Sequence, residues 1–254
     1  MKYYKELLKM ECFTREDLVG LVGSYSGANS LIYDYLKKGY IERVRNNFYV
    51  VINLQTNAPV LNEYQIGSRL FDDAYMSHHT AFEYYGYYNQ RYFDCYVSTN
   101  HRFEDFCYGS VNYHRVKPGT NIEINQEDGS KITSLERTMI ESIKDMKKIS
   151  GTEEVIKCLM MIEDKLDEEK LLKVLQQYNN GFLYQKCGYI FESLNSQFNL
   201  SANFFNECKK HISKTIKYLD DSSLCIAFNK KWNLYVPMNI YELVDKGVVG
   251  YELW

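Results

Sequence analysis

No stretch of eighteen apolar residues occurs in the 254-residue chain, so an ordinary membrane-spanning helix is not expected. Charges at Lys2, Lys5 and Glu6 interrupt the amino terminus before a secretion-signal core could develop, and the protein is expected to be cytoplasmic, with no membrane partner. Seven cysteines are scattered, odd in number, with no pair separated by two residues; this pattern argues against a disulfide framework and fits reduced, mostly buried thiols. The five histidines offer one adjacent pair, His78 and His79, whose side chains diverge on a helix, so neither a metal site nor any other cofactor is expected. Also lacking are an internal repeat and a glycine loop able to cradle phosphate. Prolines number three: Pro59, Pro118 and Pro237.

What is present is an ordinary globular composition, 45% hydrophobic and 25% charged, which leaves little room for a long disordered tail. The net charge of −3 hides an asymmetry. Residues 1–57 carry eight basic side chains against six acidic ones, whereas the remainder is acidic, so a DNA-facing surface is expected in the amino-terminal piece.

Patterning there predicts three helices and a hairpin. Tyr4, Leu7 and Leu8 share one face of a first helix over 2–10. Thr14 with Asp17 three positions on marks the start of a second helix, whose apolar face is Leu18, Leu21 and Val22. A third helix through about Lys38 turns Ala28, Leu31, Ile32, Tyr35 and Leu36 inward, and its opposite face carries short polar groups suited to base edges and phosphates. Strands over 40–44 and 48–52 then form a wing through Arg45, Asn46 and Asn47. This ordering is that of a winged helix-turn-helix. The candidate DNA-binding residues are Ser26, Asn29, Ser30, Tyr33, Lys37, Lys38, Arg43, Arg45, Asn46 and Asn47.

Beyond it, 57–62 with Pro59 reads as a linker, 63–75 as a helix, and Ser77 as the cap of a helix beginning at His78. Strands are expected over 93–98 and 110–116, with a hairpin over 121–133 turning at Asp128 and Gly129. From Ser134 the period becomes helical, with a last helix over 204–218 and closing strands over 224–228 and 233–236. The expected fold class is α+β, with a winged helix-turn-helix domain at 1–57 and a mixed α/β domain at 58–254. The many aromatics fall mostly at core spacing, which disfavours a single-strand stacking platform.

The order of segments carries a resemblance. A winged module precedes Ser77, His78, Thr80, Ala81 and Gly86, then Glu136-Arg137-Thr138 opening a helix, then Cys187-Gly188-Tyr189-Ile190-Phe191-Glu192. The chain resembles the AbiEi-type antitoxins of type IV toxin–antitoxin, or abortive-infection, systems of phage defence. It departs from them at the wing turn, where Asn46 and Asn47 stand in place of the glycine such wings often use. The resemblance implies an antitoxin that opposes a nucleotidyltransferase toxin, generally without a stable complex. It also implies repression of its own operon through promoter inverted repeats, bound by monomers or weak dimers acting cooperatively on double-stranded DNA. It places an antitoxic role on His78, Glu136, Arg137 and Glu192. From the residues themselves, Arg137 is better read as holding Glu192 or another carboxylate in a structural ion pair.

Two other readings compete. A stand-alone winged-helix transcriptional regulator would keep the DNA face and drop the toxin. An enzyme of nucleotide transfer would use Asp72 and Asp73 after Gly67-Ser68, but adjacent carboxylates on a helix point about 100° apart and cannot share a metal, so no enzymatic activity is expected.

Overall fold

The computed structural model describes residues 2–147, 149 and 151–244, and the chain is an α+β protein. The last ten residues of the expected 58–254 domain lie outside the described residues. The chain divides into two compact units, each built from separated segments. The first comprises 1–76, 93–117 and 126–131; the second comprises 77–92, 118–125 and 132–254. Residue 57 therefore lies inside the first unit.

The first unit opens with α1 (Tyr4–Met10), β1 (Cys12–Phe13), α2 (Arg15–Val22), α3 (Tyr25–Lys37), β2 (Ile41–Arg45), β3 (Phe48–Asn53) and β4 (Ala58–Pro59). Local chemistry sets these boundaries. Thr14 Oγ1 accepts from the Asp17 amide at 3.3 Å while Asp17 Oδ2 accepts from the Thr14 amide at 2.7 Å, a reciprocal cap that satisfies free donors at the start of α2. Gly23, at φ 91°, ends the helix in a conformation that side-chain-bearing residues rarely adopt. Ser24 caps α3 by accepting from the Gly27 amide at 3.1 Å.

The buried stripe of α3, Ala28, Ile32 and Tyr35, meets Leu7, Phe13, Leu18, Ile41, Tyr49 and Val51 in one core. Burying each large apolar side chain there contributes about 1.5–3 kcal/mol. Strand β3 is the hub of the sheet: β1 pairs with it antiparallel (Phe13 opposite Tyr49), as does β2 (Ile41 opposite Val51), with an irregularity between Arg43 and Arg45. Strand β4 pairs with it too, Pro59 opposite Ile52, so the expected linker at 57–62 contributes a two-residue strand to the sheet. Proline is tolerated there because this pairing sits at the margin of the sheet.

The rest of the first unit includes α4 (Glu63–Ser68), β5 (Tyr75–Met76), β6 (Asp94–Ser98), β7 (Phe106–Tyr108) and β8 (Val111–Val116). Strand β6 lies between β5, antiparallel, and β8, parallel, while β7 returns antiparallel to β8. The helix expected over 63–75 stops at Ser68, and Asp72 and Asp73 lie in the turn beyond it.

The second unit holds α5 (His78–Tyr85), α6 (Leu135–Asp145), α7 (Gly151–Met160), α8 (Glu168–Tyr178), α9 (Gly181–Ser193), α10 (Asn195–Phe198) and α11 (Ala202–Lys210). A small sheet follows, β11 (Lys217–Tyr218), β13 (Leu234–Val236) and β12 (Ala227–Asn229) in that spatial order. The hairpin β9 (Ile124–Glu127) and β10 (Ser130–Thr133) turns at Asp128 and Gly129, both at positive φ, and its residues 126–131 belong to the first unit. Helix α9 is buried continuously from Leu183 to Phe191, which makes it the centre of this unit. Its Gly188 admits the ring of Trp232: an added Cβ would come within 2.2 Å of that indole. The helix expected over 204–218 ends at Lys210, and Lys217 and Tyr218 instead pair parallel with Leu234 and Tyr235. Among the described residues, no helix is long and apolar enough to cross a membrane.

Candidate nucleic-acid interface

Because α3 turns Ala28, Ile32 and Tyr35 into the core, helical geometry obliges the intervening positions to face outward. Ser26, Asn29, Ser30, Tyr33 and Lys37 are all exposed, Tyr33 at 72%, and Tyr25 joins them at 60%. Two tyrosines so far out of the core on one helix face are unusual where burial alone governs, and their hydroxyls and rings can contact sugar and phosphate. Lys38 is exposed but tied to Asp34 at 2.7 Å, one helical turn back. The Asp34 carboxylate holds the ammonium above its ordinary pKa, so the cation is present but already partnered.

On the hairpin, the candidates divide. Arg43 is exposed, its guanidinium 5.7 Å from the Tyr49 ring, and Asn46 is exposed at the turn. Arg45 does not project as a free phosphate-gripping side chain. Its guanidinium lies 4.9 Å from the Phe71 ring, 5.5 Å from Phe103 and 6.0 Å from Phe106, within the first unit. Burial lowers its pKa, and its Nη1 is buried with no hydrogen-bond partner. The physical reason is the irregularity after Arg43, which shifts Arg45 out of the alternation that exposes Arg43.

Asn47 is likewise committed elsewhere. At φ 57° it makes the left-handed turn expected of asparagine, while its Oδ1 accepts from the Arg15 amide at 3.0 Å and its Nδ2 donates to Glu16 at 2.7 Å. It pins the hairpin turn to the start of α2.

No protein-family model and no curated protein matches the chain. The site is accordingly argued from its own geometry. In that geometry the open set is Tyr25, Ser26, Asn29, Ser30, Tyr33 and Lys37 on α3, with Arg43 and Asn46 on the hairpin. Tyr25 was not among the sequence candidates, although its place one turn before Asn29 was a usable signal.

The four residues linked to antitoxicity are not brought together as one exposed group. His78 is 3% exposed and begins α5 in a left-handed conformation, φ 55°, with its Nε2 3.5 Å from Asp145. Burial would raise the Asp145 pKa, yet His78 and Lys144 hold that carboxyl well below the usual range. Ser77 holds the expected N-cap position of α5 but its side chain makes no capping hydrogen bond; its hydroxyl lies 2.8 Å from His78 Nδ1. Glu136 accepts from the Asp167 amide at 3.1 Å.

Arg137 is fully buried. Its Nε donates to Glu141 at 2.9 Å, and its guanidinium also donates to the carbonyls of Ile122 and Thr120. Its carboxylate partner is thus Glu141, not Glu192, because one helical turn separates the two on α6. Glu192 accepts from Trp232 Nε1 at 2.8 Å and pairs with Lys231. Asp73, one of the two adjacent carboxylates weighed for nucleotide transfer, accepts from Thr99 Oγ1 and from the Asn100 amide, which marks it as a loop anchor.

Proposed function

We propose that the chain is a cytoplasmic DNA-binding regulator in which residues 2–53 act as a winged helix-turn-helix. Helix α3 is its major-groove element and Arg43 its phosphate contact on the wing. The observation that carries this reading is the unbroken exposed row Ser26, Asn29, Ser30, Tyr33 and Lys37 on a helix whose opposite face is core. The row holds hydrogen-bonding groups and no carboxylate, so it does not repel the duplex. The ordered motifs Ser77-His78, Glu136-Arg137-Thr138 and Gly188-Tyr189-Ile190-Phe191-Glu192 extend the proposal to an antitoxin of the AbiEi type. Such a protein represses its own operon at promoter inverted repeats and opposes a nucleotidyltransferase toxin.

A gel-shift of the full chain against its own upstream region, with a scrambled duplex as control, tests the DNA reading. Preferential binding that weakens for Lys37→Ala is expected. Equal affinity for both duplexes, unchanged by Lys37→Ala, overturns it. Coexpression with a neighbouring nucleotidyltransferase tests the antitoxin reading. The internal engagement of Arg137 and of Glu192 favours one alternative, a stand-alone regulator, and failure to rescue growth in that assay would select it.

A further inference from the structure

Two pairs of side chains one helical turn apart face each other in the second unit: His79 and Glu83 on α5, Glu154 and Cys158 on α7. A ring nitrogen of His79, a carboxylate oxygen of Glu154 and Sγ of Cys158 all lie within 4.8 Å of one another, and all three residues are buried. His79 Nε2 is 3.1 Å from Glu154 Oε1, and Cys158 Sγ is 3.5 Å from the same oxygen. Zinc binds nitrogen and oxygen at about 2.0 Å and sulfur at about 2.3 Å, so tetrahedral ligands lie about 3.3 Å (nitrogen to oxygen) and about 3.5 Å (oxygen to sulfur) apart. The observed spacings match both values closely.

We propose that His79, Glu154 and Cys158 form a binding site for a zinc-class divalent transition metal, which ties α5 to α7. The surroundings supply what such ligands require. The other ring nitrogen, Nδ1, is 3.0 Å from Glu83 Oε1, so a carboxylate stands behind the imidazole whose Nε2 faces Glu154. Glu83 is itself held by the Tyr92 amide at 3.1 Å. Glu154 accepts from the Asn89 amide at 3.1 Å, the Asn89 side chain at 3.2 Å and the Gln90 amide at 3.4 Å, so its carboxylate is already oriented.

A mixed nitrogen, oxygen and sulfur set selects zinc-like ions over magnesium or calcium, which prefer oxygen alone. Of the three ligands Glu154 also lines a cleft of about 570 Å³, together with Asn89, Gln90 and Tyr92, so solvent reaches the edge of the cluster. On binding, the Cys158 thiol releases its proton to solvent and the thiolate bonds the metal.

The test uses the full chain stripped with chelator and titrated with Co²⁺, followed by Zn²⁺ displacement. Expected is one Co²⁺ per chain with a thiolate-to-cobalt charge-transfer band, abolished in Cys158→Ala, and a melting temperature raised by Zn²⁺. The other six cysteines make that variant the necessary control: a band of equal intensity in Cys158→Ala overturns the proposal, as does the absence of any band in the parent chain. Should Cys158→Ala fail to fold, Glu83→Gln decides, since loss of the carboxylate behind His79 should weaken binding about 10- to 100-fold. Unchanged affinity in Glu83→Gln counts against the site. The outcome is independent of whether the first unit binds DNA.

Discussion

Arg43 and Arg45 stand two residues apart on one strand, yet substitution should affect different properties of the protein. Arg43 is exposed, and removing it deletes at most one phosphate contact. Each such contact contributes about 0.9 to the slope of log affinity against log salt, so between 50 and 200 mM salt the ratio of parent to Arg43→Ala affinity should shrink by about 3.5-fold. Its melting temperature should fall less than that of Arg45→Ala, because its guanidinium has one ring contact, to Tyr49, at an exposed site. Arg45, by contrast, has its guanidinium among Phe71, Phe103 and Phe106.

A cation over an aromatic face contributes about 0.5–1 kcal/mol at exposed sites and more when desolvated. The three contacts together would reach about 2–3 kcal/mol, less about 1 kcal/mol recovered by deleting the unpartnered Nη1. Arg45→Ala should therefore lose about 1–2 kcal/mol, a fall of roughly 3–6 °C in melting temperature for a chain of this size, with the salt slope preserved. Scanning calorimetry and a salt series of gel-shifts measure the two effects separately. A lowered slope with an unchanged melting temperature for Arg45→Ala would refute the reasoning, because it would place that guanidinium on DNA.

Three further outcomes follow from the packing. Gly188→Ala puts a methyl within 2.2 Å of Trp232, a ring that is fully buried and tethered through Nε1 to Glu192; the clash should exceed the gain of about 1 kcal/mol in helix propensity and leave a net loss of about 2 kcal/mol, visible in urea unfolding. Arg137→Ala strands the buried Glu141 with Tyr178 as its remaining hydrogen-bond donor, and should cost about 3–5 kcal/mol in the same assay, with Arg137→Lys an incomplete rescue because an ammonium lacks the planar fork. His114 lies 2.7 Å from Asp105 and 3.2 Å from Asp94; burial alone would lower its pKa, but these carboxylates raise it. Its stabilisation is therefore full below the unfolded value of about 6.5 and fades as pH rises through the folded one, so His114→Asn should lower the melting temperature near pH 6 and have little effect near pH 9.

The amino-terminal architecture was legible because its determinants are local. Thr14 and Asp17 announce a cap within four residues, and the inward stripe of α3 repeats at a helical period. The fates of Arg45 and His79 were not, because their partners are distant in sequence: Phe71, Phe103 and Phe106 for one, Glu154 and Cys158 for the other. Two residues each spaced as ligands along a helix were visible in the sequence as His79 with Glu83 and Glu154 with Cys158, but nothing in either pair says that α5 and α7 meet. Strand β4 was hidden by its proline, and the false helix over 69–75 by apolar residues that serve a turn and a strand.

The threading of the chain between its two units bears on how the protein can be dissected. Strands β6 and β8, which share a sheet with β5, are supplied by residues 93–117, after the polypeptide has already contributed 77–92 to the other unit. A fragment cut at residue 57 or 76 would expose the bonding edge of β5 or discard that strand altogether, and would leave Arg45 without Phe103 and Phe106. Truncated pieces should thus be prone to misfolding and self-association, and roles are better apportioned between the units by point substitution in the intact polypeptide.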